Sequence, residues 1–172
     1  MNRCYNSNEL FHHEALLYAG EADFLAGTVP FVRAGVDGDE PVLVVLGPRH
    51  TAWLREALGA DADAVTFADM LAVGDNPARI IPAWQSFVDA HAGRPIRGVG
   101  EPVWPGRSPS ELVECHRHEA LLNVAFAETP GFQLLCPYDT EGLDSDVVAV
   151  AHDTHPHVGG SPSPGYHEAG TR

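Results

Sequence analysis

Phe132-Gln133-Leu134-Leu135-Cys136 is a short run without charge that halts at Pro137-Tyr138-Asp139 and gives way to the helix-length segment 140–151. An uncharged run of this length suits a strand buried on both faces. Proline cannot donate to a ladder, so the strand is expected to end at Pro137. The same strand-then-helix pattern occurs at 15–19 with 22–34, at 41–46 with 50–58, at 64–68 with a helix opened by Asn76-Pro77, and at 95–100 with 108–128. Alternation of this kind predicts a three-layer α/β fold, with a mostly parallel sheet of about five strands and helices on both faces.

The pattern also sets boundaries. Residues 1–10 are polar and read as a flexible arm. Residues 11–158 carry the alternation. Residues 159–172 are rich in Gly, Ser and Pro and read as a linker or tail. Pro30 and Pro82 fall inside two of the expected helices, which they should end or kink.

Composition removes several classes of function. The formal charge is −14, which repels phosphate backbones and argues against direct nucleic-acid binding. All 10 basic residues are arginine, so a P-loop lysine and a Schiff-base lysine are both absent. No apolar run approaches the roughly 20 residues of a membrane span. The odd count of 3 cysteines, Cys4, Cys115 and Cys136, points to a reducing cytoplasm rather than a disulfide framework. No Gly-x-Gly-x-x-Gly follows any strand, and no Gly-x-Ser-x-Gly elbow occurs.

In open parallel sheets, ligands sit beyond the strands' carboxyl ends. This rule selects Glu21, Arg49, Glu101, Trp104, Tyr138 and Asp139 as a polar and aromatic ring for a small molecule. Asp69 also ends a strand. Cys136, at the end of its run, reads as a small buried hydrophobe. Within Cys115-His116-Arg117-His118-Glu119 the two histidines point in different directions on a helix, so the segment does not read as a metal motif. Glu119 shares the buried face of that helix, as structural support, and needs a partner such as an arginine or a backbone amide. His12, His13, His152, His155 and His157 fall together at the strands' amino edge. They read either as surface and capping residues or as ligands for Zn²⁺ or another borderline metal.

Five segments in order resemble one family. They are His12-His13-Glu14-Ala15-Leu16-Leu17-Tyr18, Gly38-Asp39-Glu40-Pro41-Val42-Leu43-Val44-Val45-Leu46, Glu119-Ala120-Leu121-Leu122-Asn123, Leu135-Cys136-Pro137-Tyr138-Asp139 and Thr154-His155-Pro156-His157. Together they resemble the MEDS family, the methanogen/methylotroph sensory domain, over about residues 10–158. The resemblance implies a RecA-like α/β domain without the nucleotide-hydrolysing loop. It also implies a sensory role in bacterial and archaeal regulators, directed at small organic molecules such as hydrocarbon derivatives. Members are often joined to a helix-turn-helix or to a histidine-kinase-like ATPase of the anti-sigma-factor type.

The resulting expectation is a non-catalytic cytoplasmic sensor that binds a small organic ligand at the carboxyl edge and relays to an output module or protein. A metal sensor or metalloenzyme built on the histidines is an alternative. An adaptor for a kinase or anti-sigma partner is another. The exposed edges of a parallel sheet leave a homodimer open.

Overall fold

The computed structural model describes residues 10–160. Six strands, all parallel, form one sheet: β1 (His12–Tyr18), β2 (Val42–Leu46), β3 (Thr66–Asp69), β4 (Ile96–Gly100), β5 (Phe132–Asp139) and β6 (His157–Gly160). Their order across the sheet is β3-β2-β4-β5-β1-β6. The helices are α1 (Gly20–Asp37), α2 (Pro48–Leu58), the single turn α3 (Met70–Val73), α4 (Ile80–Ala90), α5 (Pro109–Ala125) and α6 (Ser145–Thr154). No helix among the described residues is long and apolar enough to cross a membrane.

Side-chain alternation along each strand divides the core in two. Leu16, Tyr18, Val42, Val44, Leu46, Val99 and Leu135 face Phe24, Phe31 and Val32 of α1 and Leu54 and Leu58 of α2. Ala15, Leu17, Leu43, Val45, Leu134, Cys136 and Tyr138 face Met70 of α3, Trp84 and Phe87 of α4, Cys115 and Leu122 of α5, and Val148 and Ala151 of α6. The two layers follow from topology. Right-handed crossovers send connections that step in opposite directions along the sheet over opposite faces. From β1 to β2 to β3 the chain steps one way; from β3 to β4 to β5 to β6 it steps back. Trp84 lies flat on β4 because Gly98 and Gly100 carry no side chain there. A Cβ at Gly98 would fall 2.6 Å from Trp84 Cζ3.

Several boundaries differ from the sequence expectation. The sheet has six strands, not about five, because His157–Gly160 pairs with Glu14–Leu17 as β6. Gly160 has φ 98°, and a Cβ on it would meet the Leu17 carbonyl oxygen at 1.9 Å. The Gly159-Gly160 pair therefore serves close backbone approach, and only residues 161–172 of the expected tail, like residues 1–9 of the expected arm, lie outside the described residues. β5 does not end at Pro137, which pairs in register with Leu16. The β4 ladder reaches only Leu135, so one flank of β5 has no partner that would need the missing donor. Pro30 is accommodated inside α1. Asn76 caps as expected, with Oδ1 accepting from Ala78 N, but the turn it opens, Pro77–Arg79, is a 3₁₀ turn. Pro82 has no N–H to give the Ala78 carbonyl, so the α-helix proper starts at Ile80 and holds Pro82 in its first turn.

Candidate functional site

Connections that leave neighbouring strands over opposite faces open a crevice between them. The chain leaves β2 over the α1–α2 face and leaves its neighbour β4 over the other. A crevice of about 140 Å³ lies at that divergence, lined by Gly47, Pro48, Arg49, His50, Met70, Leu71, Glu101 and Trp104. Three of the six predicted ligand residues, Arg49, Glu101 and Trp104, are brought together here.

Glu101 directly follows β4 and is 2% exposed. Tyr18, the last residue of β1, donates its hydroxyl to Glu101 Oε1 at 2.9 Å. His50 Nδ1 lies 2.6 Å from Oε2 of the same carboxylate. The His50 ring stacks on Phe24 with centroids 4.8 Å apart, which fixes its plane. Burial and the adjacent Glu101 charge push the Tyr18 hydroxyl far above the ordinary tyrosine value, so it remains a donor. Arg49 opens α2 and stacks over Trp53, its Cζ 4.4 Å from the ring. Trp104 rests on the Arg107 guanidinium at 3.4 Å. Arg107 is itself buried, donating to the Pro102 carbonyl at 2.6 Å and to the Gly74 carbonyl at 2.7 Å. A buried carboxylate, an imidazole and an indole are thus held rigidly around a small apolar floor.

The other three predicted residues lie elsewhere. Tyr138 is fully buried, because alternation along β5 turns it, with Leu134 and Cys136, toward α5 and α6 rather than to the edge. Asp139 Oδ1 accepts from Glu141 N at 3.0 Å and Gly142 N at 3.1 Å, and so fixes the turn after β5. Glu21 is exposed in the first turn of α1. None of the three lines the crevice. Tyr18 and His50 were missed. In the sequence Tyr18 falls inside the expected 15–19 strand and His50 at the start of a helix, and neither position marks a site. A wider groove of about 520 Å³ at the amino edge is lined by residues including Val88, His91, Arg94, Glu128 and Gly131.

A second constellation is buried between the sheet and the α5–α6 layer. His13 on β1 and Cys136 on β5 share a face, and their side chains approach to 3.4 Å, Nε2 to Sγ. Glu119 lies among Cys115 and Leu122 on the buried stripe of α5. Its Oε2 is 3.1 Å from His13 Nε2 and 2.9 Å from His155 Nε2. The partners of Glu119 are therefore two imidazoles rather than an arginine or a backbone amide. Burial pushes the Cys136 thiol well above its ordinary value, with the Glu119 charge adding to it. His13 is held below its ordinary value, burial outweighing the pull of Glu119. Of the five predicted histidines, His13 and His155 enter this cluster. His12 stacks on His157 outside it, at 4.2 Å, and His152 is exposed on α6. In the Cys115–Glu119 segment, Cys115 donates to the Pro102 carbonyl at 3.3 Å and His118 Nδ1 lies 2.8 Å from the Glu114 carbonyl, so Glu119 is the residue of that segment that enters the cluster.

A family model described as "MEDS: MEthanogen/methylotroph, DcmR Sensory domain" matches residues 12–156. No curated protein and no solved structure matches the chain significantly. The matched span runs from the first residue of β1 to the residue before β6 and takes in both constellations. The chain belongs to the MEDS family of sensory domains.

Proposed function

We propose that this domain senses a small organic molecule in the crevice between the β2 and β4 loops and performs no chemistry on it. The observation that carries the reading is the convergence of Glu101, His50, Arg49 and Trp104 at a point where the sheet's connections diverge. The crevice, at about 140 Å³, is close to the roughly 150 Å³ engineered cavity that takes up benzene. A ligand of about six heavy atoms or fewer is the matching size. Met70, Leu71 and Trp104 offer apolar contact, while the Glu101–His50 pair and Arg49 supply groups that orient a polar end.

Occupation would favour one arrangement of the loop after β4. That loop is tied through Arg107 to the end of α3, so a shift at Trp104 would be felt at Gly74. The receiving element would be a kinase-like or regulator module in the cytoplasm, on the same chain or a separate one.

The test is a thermal-shift screen with benzene, short alcohols and short carboxylates on the wild type, Trp104→Ala and Glu101→Gln. The expected result is stabilisation of the wild type by one of these classes, lost in Trp104→Ala. Stabilisation unchanged in both variants would place binding elsewhere. A tight complex with a kinase-like partner and no ligand-induced stabilisation would favour an adaptor instead.

A further inference from the structure

We infer that His13, Glu119, Cys136 and His155 form a closed site for a divalent borderline cation, Zn²⁺ by its ligand chemistry. The site is separate from the crevice, and the inference does not depend on the crevice binding anything. One ligand atom from each residue lies within 4.8 Å of all the others, and all four residues are buried. A tetrahedral metal with ligands at about 2.0–2.3 Å separates those ligands by roughly 3.3–3.7 Å. The contacts of 2.9, 3.1 and 3.4 Å around Glu119 and His13 lie close to that spacing. Two imidazoles, one thiolate and one carboxylate are a ligand set that suits zinc.

The surrounding hydrogen bonds fix which ring nitrogens face inward. Asn123 donates its amide to the Thr154 carbonyl at 2.7 Å, so its oxygen is turned to His13 Nδ1 at 3.0 Å. An oxygen acceptor there requires the proton on Nδ1, so in the neutral ring Nε2 is the nitrogen whose lone pair is free to ligate a metal. His155 Nδ1 lies 3.0 Å from the Ala151 carbonyl, which only accepts, so the same holds for His155. Outward N–H bonds of this kind orient metal-bound histidines. Inside the cluster, by contrast, His155 Nε2 and both Glu119 oxygens make no aligned hydrogen bond, despite the short separations. With both rings neutral, two lone-pair nitrogens face a carboxylate and repel it. A shared cation converts the same geometry into bonds.

Charge points the same way. A divalent cation with one carboxylate and one thiolate sums to zero, the least costly sum for a buried site. With four protein ligands there is no open coordination position, so the site is structural rather than catalytic. It would cross-link β1, β5, α5 and the segment that leads from α6 into β6.

The experiment uses full-length, untagged protein. Its metal content is measured, the metal is stripped with a chelator, and Co²⁺ is titrated in. The expected result is one equivalent bound with the visible bands of tetrahedral cobalt and a near-ultraviolet thiolate-to-cobalt band. Cys136→Ser should abolish the thiolate band, while Cys115→Ser and His157→Ala leave it intact. Asn123→Ala, which removes the support of His13, should weaken binding by about 10–100-fold. The wild-type spectrum decides the matter even if a variant fails to fold. Absence of a thiolate band in the wild type overturns the inference and leaves a buried His–Glu ion pair. So does a band that survives Cys136→Ser, or loss of binding in His157→Ala.

Discussion

Tyr18→Phe isolates the support under the crevice. The substitution keeps the ring, which is 1% exposed in the core against Phe24, and removes only the hydroxyl. That hydroxyl donates to Glu101 Oε1 at 2.9 Å, and Glu101 is 2% exposed, so water does not readily replace it. A hydrogen bond to a charged group contributes about 1.5–3 kcal/mol. His50 still faces the other carboxylate oxygen at 2.6 Å, so the loss should fall in the lower part of the range, about 1.5–2 kcal/mol. For a domain of this size that corresponds to a fall in Tm of about 3–8 °C. Urea unfolding at pH 7 measures it, with an unchanged m-value showing that the denatured state is the same. A loss below about 0.5 kcal/mol, the range of ordinary surface changes, would mean that Glu101 is an ordinary solvated loop carboxylate. The rigid polar wall of the crevice would then be wrong.

Three further perturbations test the frame. Gly98→Ala puts a methyl 2.6 Å from Trp84 and 2.9 Å from Leu134, so it should cost about 1–3 kcal/mol by overpacking; unchanged unfolding would refute the account of Trp84 on β4. Gly160→Ala combines a φ of 98° with a clash on the Leu17 carbonyl, and hydrogen exchange at β6 should accelerate while β4 stays protected; unchanged β6 protection would contradict its assignment as a paired strand. Glu111 closes a capping box on α5, accepting from the Ser108 hydroxyl at 2.6 Å and the Ser108 N–H at 2.7 Å. These bonds, the hydroxyl first, hold its carboxyl below the usual value. Its contribution is therefore present above the unfolded carboxylate pKa and lost as pH falls through the lower folded value. The Tm gap between wild type and Glu111→Gln should close on acidification from pH 7 to pH 3, and a gap independent of pH would refute the linkage.

The strands β2 and β5 were legible because each is an uncharged run between turn residues, β4 less so because it carries Arg97, and six parallel strands with two helical layers confirm the α/β class. What sequence did not give was the order of the strands, which depends on contacts far apart in the chain. Without the order, the carboxyl-edge rule could not choose between the end of β5 and the divergence of β2 from β4, and it grouped Tyr138 and Asp139 with residues of a crevice that neither of them lines. Tyr138 had a local signal that was overlooked: two residues beyond Cys136 on a strand, it had to share that residue's buried face. The start of β1 was set three residues too late because His12-His13-Glu14 looks too polar for a strand. His13 is tolerated inside only because Glu119 and Asn123 reach it from α5. The buried cluster was hidden by that boundary, although Glu119 on an apolar helix face had already signalled an unnamed partner.

Backbone amide NMR during titration with the fragment that stabilises the protein most tests the sensory reading directly. Shifts concentrated at 47–50, 70–71 and 101–104, with the amino-edge groove at 88–96 and 128–131 silent, are what a ligand in the β2–β4 crevice produces. Shifts confined to the amino-edge groove, or to neither place, would contradict it.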